Sequence, residues 1–137
     1  MASHGFTLAH WCVLAAALMP ILCAGIAKSG QFRIPRSQGG YDNRDPRAWL
    51  ARQTDWRARA NAAQANCFEA MPFFIGAVVI AQLSGAPSLR VGLLALVWVV
   101  LRLVYVLLYV ADQATARSAV WSLALAVNIG ILFAGGI

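Results

Sequence analysis

Polar side chains recur at helical spacing within stretches of this sequence that are otherwise apolar. Two stretches are involved, and in each the polar positions are three, four or seven residues apart, which places them on one face of a helix. These positions are Arg59, Asn66 and Glu69 in one stretch and Arg102, Tyr105 and Tyr109 in the other. Such side chains together can bind a carboxylate-bearing molecule and stabilise an anion such as a thiolate. This chemistry requires the two faces to meet in a shared cavity.

The chain that carries these residues is unusually apolar. Of its 137 residues, 61% are hydrophobic and 12% are charged, whereas a soluble domain is about 45–50% apolar and about 25% charged. A chain of this length cannot cover so much apolar surface in one water-soluble core. We therefore predict a multi-pass integral membrane protein that is surrounded by membrane lipids.

Four apolar stretches are long enough to cross a bilayer as helices. They cover residues 6–27, 58–83, 91–111 and 118–137, and a basic loop covers residues 28–57. The predicted fold is all-α, a four-helix transmembrane bundle with up-and-down topology in which residues 1–137 form a single domain.

The loop at 28–57 holds most of the basic residues of the chain, whose net charge is +6. Because this loop lies between apolar stretches, its charge indicates membrane orientation rather than binding of nucleic acid. We expect the loop to face the cytoplasm, with both termini on the opposite side. Within the loop, residues 48–56 are predicted to form an interfacial helix that places Trp49 and Trp56 at headgroup level.

The charges inside the predicted spans allow two interpretations, because a charge at mid-bilayer costs about 2.5–3.5 kcal/mol. In the first, Glu69 and Arg102 form a buried pair that only fixes helix packing. Arg59 and Arg117 then reach lipid phosphates, and the tyrosines form an aromatic belt. In the second, polar groups from three helices converge near their cytoplasmic ends in a site for an anionic ligand. We prefer the second interpretation because it accounts for all of these residues at once.

The sequence does not indicate other kinds of site. It has no metal-binding cluster, no glycine-rich phosphate loop and no Ser-His-Asp set. His4 and His10 are predicted to lie near the opposite membrane face without a catalytic role. Cys12 and Cys23 would lie about 16 Å apart along one helix, which is too far for a disulfide. These two cysteines and Cys67 are interpreted as small apolar residues.

The polar residues also carry a family resemblance. The run from Arg59 to Phe73, which contains Asn-x-x-Glu-x-x-Pro, resembles the second-helix signature of the MAPEG superfamily, the membrane-associated proteins of eicosanoid and glutathione metabolism. The resemblance continues in the later helices with Arg102, Tyr105, Tyr109, Arg117 and Ser118. It covers nearly the whole chain and is greatest for the uncharacterised bacterial branch. It implies a homotrimer of left-handed four-helix bundles in the bacterial inner membrane, with glutathione as cosubstrate at each subunit interface and no metal.

The resemblance also implies roles for individual residues. Asn66 and Glu69 would hold the peptide backbone and amino group of glutathione. Arg117 would stabilise the glutathione thiolate as a catalytic residue, and Ser118 follows it directly. The other residues implied to bind glutathione are Arg33 and Arg59 at its carboxylates and Gln64, Arg102, Tyr105 and Tyr109 in the pocket.

The function implied by the resemblance is that of a glutathione-dependent transferase or peroxidase. Its small-molecule substrates would be lipophilic electrophiles or hydroperoxides that arrive through the bilayer. Ala62 departs from the family pattern, because active members often carry a second arginine there, and Trp121 stands where some members have tyrosine. The alternative is a non-catalytic membrane protein that binds lipids or a partner. A third hypothesis is a proton-coupled drug exporter that uses Glu69, although such exporters usually carry the acid in the first helix.

Overall fold

The computed structural model describes residues 5–136, and these residues contain helices and no strand. The helices are α1 (Leu8–Lys28), α2 (Pro46–Ala51), α3 (Asp55–Leu83), α4 (Ser88–Val110) and α5 (Ala114–Leu132), with a 3₁₀ turn at Arg36–Gln38. Four of them, α1, α3, α4 and α5, are long and apolar enough to cross a membrane. The prediction of an all-α membrane bundle with four spans is therefore confirmed.

The helix boundaries differ from the predicted spans at the polar ends. α3 begins at Asp55 rather than at residue 58, and α5 begins at Ala114 rather than at residue 118. Apolarity marks where a helix enters the hydrocarbon and not where its backbone hydrogen bonding begins, so polar first turns lie outside the predicted ranges. As a result, Arg117 lies in the first turn of α5.

Small residues let the four spans pack closely. α1 packs against α3 and α4, and α5 packs against α4 and α3. The buried residues of this core include Ala16, Ala63, Cys67, Ala81 and Ala95. Small side chains are favoured there because lipid supplies no hydrophobic drive between helices and close backbone approach must supply the attraction. Large apolar side chains such as Leu18 and Leu107 are exposed on the outside, where hydrocarbon is their solvent.

Arginine side chains cap the C-termini of two helices on the side of the bundle that carries the basic loop. Arg57 Nη1 donates to the carbonyls of Ala27 (2.9 Å) and Ser29 (2.7 Å), and Arg59 Nε donates to the carbonyl of Val110 (3.1 Å). The last carbonyls of a helix have no intrahelical partner, and a cation there also complements the helix dipole. These contacts place the C-termini of α1 and α4 beside the N-terminus of α3, so these consecutive spans run in opposite directions.

The loop between α1 and α3 folds onto this end of the bundle. Trp49 is buried with 2% of its surface exposed, and it packs in a cluster with Ala27 and Ala60. Its Nε1 donates to the carbonyl of Gly39 (3.2 Å). The prediction of one helix over 48–56 is wrong, because α2 ends at Ala51 and α3 begins only at Asp55. The indole packs against α1 and α3, and its hydrogen-bond acceptor lies inside the loop.

Asp42 organises the exposed part of the same loop. Its Oδ1 accepts a hydrogen bond from the backbone N–H of Arg44 (3.0 Å) and another from the Arg36 guanidinium (3.5 Å). The Arg44 N–H first, and Arg36 in addition, hold the pKa of Asp42 below its ordinary value. Both partners are fixed only while this turn is folded, so the turn is coupled to ionisation of the carboxyl group.

Candidate functional site

Two adjoining cavities lie between α3, α4 and α5. The cavity nearer the basic loop, named the upper crevice, has a volume of about 440 Å³ and is lined by Asn66, Tyr105, Tyr109, Arg117, Ser118, Trp121 and Ser122. The second cavity, named the deep chamber, has a volume of about 170 Å³ and is lined by Asn66, Glu69, Ala70, Phe73, Trp98, Arg102, Trp121, Ala124, Leu125 and Asn128. Asn66 and Trp121 belong to both linings, so the two cavities meet at these side chains.

Cationic and aromatic side chains alternate in contact along both cavities, and we call this series the ladder. Its members on one face of α4 continue with an arginine of α5. The Arg102 guanidinium lies 4.2 Å from the centroid of the Tyr105 ring and 6.0 Å from that of Trp98. The rings of Tyr105 and Tyr109 meet edge to face at 5.7 Å, and Arg117 of α5 lies 4.2 Å from the Tyr109 centroid. Cation–π contacts of this kind contribute about 0.5–2 kcal/mol each. The ladder therefore holds two guanidinium groups at two different depths in the bundle.

Asn66 connects Arg102 of α4 to the carboxylate of Glu69 on α3. Arg102 Nη2 donates to Asn66 Oδ1 (2.8 Å), and Asn66 Nδ2 donates to Glu69 Oε2 (3.4 Å). Within residues 5–136 the ion pair that forms is Arg36–Asp42 in the loop, so Arg102 and Glu69 do not pair directly. Arg102 is buried with 2% of its surface exposed, whereas Glu69 is exposed. The carboxylate thus remains free to accept a hydrogen bond from a ligand.

Arg117 and Ser118 bring an anion-stabilising arrangement to the upper crevice. Both lie near the N-terminus of α5, where the first backbone N–H groups have no intrahelical acceptor and favour negative charge. Arg117 is half-buried and Ser118 is exposed. The neighbouring hydroxyl of Ser122 is already engaged, because it donates to the carbonyl of Ser118 (3.0 Å). The upper crevice is therefore lined by a guanidinium and by a hydroxyl that is not already engaged by Ser122.

A comparison with protein-family models supplies the family. The model described as MAPEG family matches residues 8–137. The chain belongs to the MAPEG family. Searches of curated proteins and of solved structures found no match. Membership confirms the resemblance drawn from the second-helix signature, and it relates this integral membrane protein in general terms to the membrane proteins of glutathione and eicosanoid metabolism.

Three residues that the MAPEG resemblance implies as ligands lie outside both cavities of the chain. Gln64 lines a separate cavity of about 510 Å³ beside Ala62 and Asn61 on another side of α3. Arg33 is exposed in the loop. Arg59 uses its Nε to close the end of α4. Within this MAPEG chain, the upper crevice and the deep chamber therefore collect seven of the ten implied residues, and these three lie elsewhere.

Asn128 is a polar residue of the deep chamber to which the sequence analysis gave no role. It is buried with 3% of its surface exposed, and its Oδ1 has no hydrogen-bond partner within residues 5–136. The same is true of Nε in Arg102. The sequence contained a signal, because an amide in an otherwise apolar span is costly in the same way as a charge. It was missed because Asn128 belongs to no motif.

Two cysteines meet behind the chamber, which the sequence analysis also did not predict. Cys23 Sγ of α1 lies 3.9 Å from Cys67 Sγ of α3, and Arg102 Nη2 lies 3.8 Å from Cys67 Sγ. Cys12, Cys23 and Cys67 are all buried and unbridged. Their pairing depends on how α1 and α3 face each other, which spacing along one helix cannot reveal.

His10 lies near the start of α1, at the end of the bundle opposite the basic loop, and lines neither cavity. Its Nε2 contacts Gln82 Nε2 (3.1 Å), and its Nδ1 accepts a hydrogen bond from the Thr7 backbone (3.0 Å) at the start of α1. The first contact joins α1 to α3, and the second caps the start of α1. His4 lies outside the described residues.

Proposed function

We propose that this MAPEG protein is a membrane-bound glutathione-dependent transferase or peroxidase that acts on lipophilic electrophiles or hydroperoxides. The observation that carries the proposal is the meeting of Asn66, Tyr105, Tyr109, Arg117 and Ser118 in the upper crevice, which lies at the basic end of a transmembrane bundle. A polar tripeptide can enter this end from water, while a lipophilic partner can enter from the bilayer.

The chemistry follows from the placement of Arg117. Its guanidinium and the N-terminus of α5 stabilise the glutathione thiolate, which is the nucleophilic form of the thiol. With an electrophile, the sulfur forms a bond to carbon as the leaving group departs. With a hydroperoxide, the sulfur takes the outer oxygen, the O–O bond breaks and the inner oxygen leaves as an alcohol after protonation. A second glutathione then converts the sulfenic acid to glutathione disulfide and water.

A homotrimer is part of the proposal. Glu69 is exposed on the subunit. It lies ten residues after Arg59, whose side chain donates to the last carbonyl of α4 at the basic end of the bundle. Glu69 is therefore about 15 Å further along α3 from that end. A lone subunit would expose this carboxylate to acyl chains, which is costly. A neighbouring subunit that covers Glu69 also explains why Gln64 and Arg33 lie apart, since they could reach the site of the next subunit.

An orientation of the bundle in the membrane is also part of the proposal. The basic residues of the loop before α3 place that loop, and with it the mouth of the upper crevice, on the cytoplasmic side of a bacterial inner membrane. Glutathione would then reach the site from the cytoplasm.

The test is turnover by purified protein in nanodiscs with glutathione and a reactive aryl halide. We expect Arg117→Ala to lower kcat by about 100-fold or more, because loss of one preorganised anion-stabilising group costs about 10²–10³ in rate. Arg90→Ala is the matched control, since Arg90 donates to the carbonyl of Ala134 (3.0 Å) at the opposite end. Equal rates in Arg117→Ala and the unmodified protein would contradict the catalytic assignment.

A second candidate function is non-catalytic binding of lipids or a partner. Ala62 favours it, because this position lines the cavity beside Gln64 without the guanidinium found in active relatives. Calorimetric titration separates the two functions. Absence of heat with glutathione at millimolar concentration, together with retained lipid binding, would favour the non-catalytic function.

A further inference from the structure

Cys23 of α1 and Cys67 of α3 bring two thiols together, and neither sulfur has a role in the proposed glutathione site. The two Sγ atoms lie 3.9 Å apart, and both side chains are buried. Neither cysteine is bridged. A disulfide bond is about 2.05 Å long, so each sulfur has to move by roughly 1 Å for the bond to form. Rotation of the two side chains about their Cα–Cβ bonds supplies a movement of this size.

Arg102 distinguishes Cys67 from an ordinary buried cysteine. Buried cysteines in apolar surroundings are inert, because the reactive form is the thiolate and a charge is costly there. Arg102 Nη2 lies 3.8 Å from Cys67 Sγ, and a guanidinium beside a sulfur stabilises negative charge on it. The same nitrogen donates to Asn66 Oδ1 (2.8 Å), which fixes the guanidinium at Cys67. Cys67 is therefore the better nucleophile of the pair.

The deep chamber brings a small oxidant to the same guanidinium. Arg102 lines this chamber, as does Asn66, the residue before Cys67. One side chain, that of Arg102, thus contacts both the cavity and the Cys67 sulfur. Its Nε is buried and has no hydrogen-bond partner within residues 5–136, so it can donate to an oxygen atom of a guest. A hydroperoxide suits this position, because it is a neutral oxidant that dissolves in the bilayer and accepts hydrogen bonds.

We propose that Cys23 and Cys67 are a redox-active dithiol, which a hydroperoxide in the deep chamber oxidises to a disulfide between α1 and α3. The Cys67 sulfur attacks the outer oxygen, the O–O bond breaks, and the inner oxygen takes the Cys67 proton and leaves as an alcohol. Cys67 is then a sulfenic acid. The Cys23 sulfur attacks the Cys67 sulfur, the S–O bond breaks, and the hydroxyl group leaves with the Cys23 proton as water. Two electrons pass from the two thiols to the hydroperoxide.

The test counts thiols without glutathione, because the proposal shares the hydroperoxide with the proposed function but not the cosubstrate. Reduced protein in nanodiscs is treated with cumene hydroperoxide, denatured and labelled with a maleimide, and its intact mass gives the number of labelled cysteines. The chain has three cysteines. We expect three labels before oxidation and one after it, and peptide mapping should join Cys23 to Cys67. Dithiothreitol should restore all three labels by exchange.

Single cysteine variants separate the two roles. Cys67→Ala should keep both of its remaining thiols, because the nucleophile is absent. Cys23→Ala should form no disulfide, and its Cys67 should react with dimedone, a reagent for sulfenic acids. Cys12→Ala is the matched control, since Cys12 lies about 16 Å from Cys23 along α1. This control should keep no free thiol, because its two remaining cysteines form the disulfide.

Arg102→Gln tests the contribution of the guanidinium. It should slow formation of the disulfide at least tenfold, because the cation beside Cys67 is lost. Arg90→Gln makes the same exchange at the opposite end of the bundle, where Arg90 donates to the carbonyl of Ala134, and should leave the rate unchanged. The cysteine variants test the pair by themselves if Arg102→Gln fails to fold.

Three results would overturn the proposal: three labels after an excess of hydroperoxide, an equal loss of thiols in Cys67→Ala, or a disulfide that joins two chains. If the disulfide between Cys23 and Cys67 forms and no turnover with glutathione occurs, the dithiol assignment stands and the proposed function fails. If turnover occurs and no disulfide forms, the outcome is the reverse.

Discussion

The upper crevice and the deep chamber are built from the same three helices, yet they satisfy their polar groups differently. Near the basic end, Arg117 is half-buried and Ser118 is exposed, so water or a soluble ligand can complete their hydrogen bonds. Further along the bundle, Arg102 is fully enclosed and its bonds must come from the protein, which supplies Asn66 and leaves Nε without a partner. The comparison shows that a polar group without a hydrogen-bond partner in the protein has a different meaning at different depths. Near the aqueous end water can bind it, whereas deep in the bundle its bonds must come from the protein.

The largest expected effect falls on Asn66, which belongs to both cavities. Asn66→Leu removes the acceptor of the Arg102 hydrogen bond and should lower the free energy of unfolding by about 2 kcal/mol, since a hydrogen bond to a charged group contributes about 1.5–3 kcal/mol. Unfolding in a fixed detergent, followed by circular dichroism, measures the change. It should be accompanied by loss of glutathione turnover.

Asn66→Asp separates the two consequences of that change. A carboxylate keeps an acceptor for Arg102 but no longer donates to Glu69. Stability should therefore return to near that of the unmodified protein while glutathione binding stays weak. If Asn66→Asp proves as unstable as Asn66→Leu, the contact with Arg102 does not explain the loss.

A smaller effect distinguishes two hydroxyl groups within the upper crevice. Ser118→Ala should lower kcat by about tenfold, because a positioned donor to a developing anion is removed. Ser122→Ala should change kcat less than about twofold, since its hydroxyl already donates to the carbonyl of Ser118. Steady-state kinetics with glutathione and an aryl halide measure both. Similar losses in the two variants would argue against a specific role for Ser118.

The smallest effect concerns the loop, where water screens every charge. The pKa of Asp42 is lowered by the Arg44 N–H and by Arg36, so its contribution to the folded turn is present above the unfolded-state pKa and is lost as pH falls through the lower folded-state pKa. Hydrogen exchange of the Arg44 amide should therefore show protection at neutral pH that is lost in acid, as the pH falls below the ordinary pKa of an aspartate.

Asp42→Asn should abolish this pH dependence, whereas Asp112→Asn, a matched change in the turn after α4, should leave the Arg44 amide unaffected. Persistence of the pH-dependent protection in Asp42→Asn would assign it to another group. Neither variant alters the two cavities, so glutathione turnover serves as a check that the bundle is intact.

The extent to which the site could be predicted varied with the kind of residue. The α4 face of Arg102, Tyr105 and Tyr109 could be derived from spacing alone, because a helix fixes which of its own residues share a face. The role of Arg59 at the end of α4 could not, since a long side chain at a helix end can reach a ligand, a lipid phosphate or a carbonyl. The burial of Trp49 was missed because loop packing has no sequence period.

The run from Arg59 to Phe73 carried the resemblance to the MAPEG family. Composition and periodicity by themselves determined that this chain crosses a membrane four times and that α3 and α4 each carry a polar face. These properties depend on local spacing and on transfer from water to lipid, which the sequence contains directly. Only the tertiary structure decided that Arg102 bonds Asn66 rather than Glu69, that Cys23 meets Cys67, and that Asn128 faces the chamber. Those contacts depend on the rotation and axial position of one helix relative to another, and no single helix encodes either.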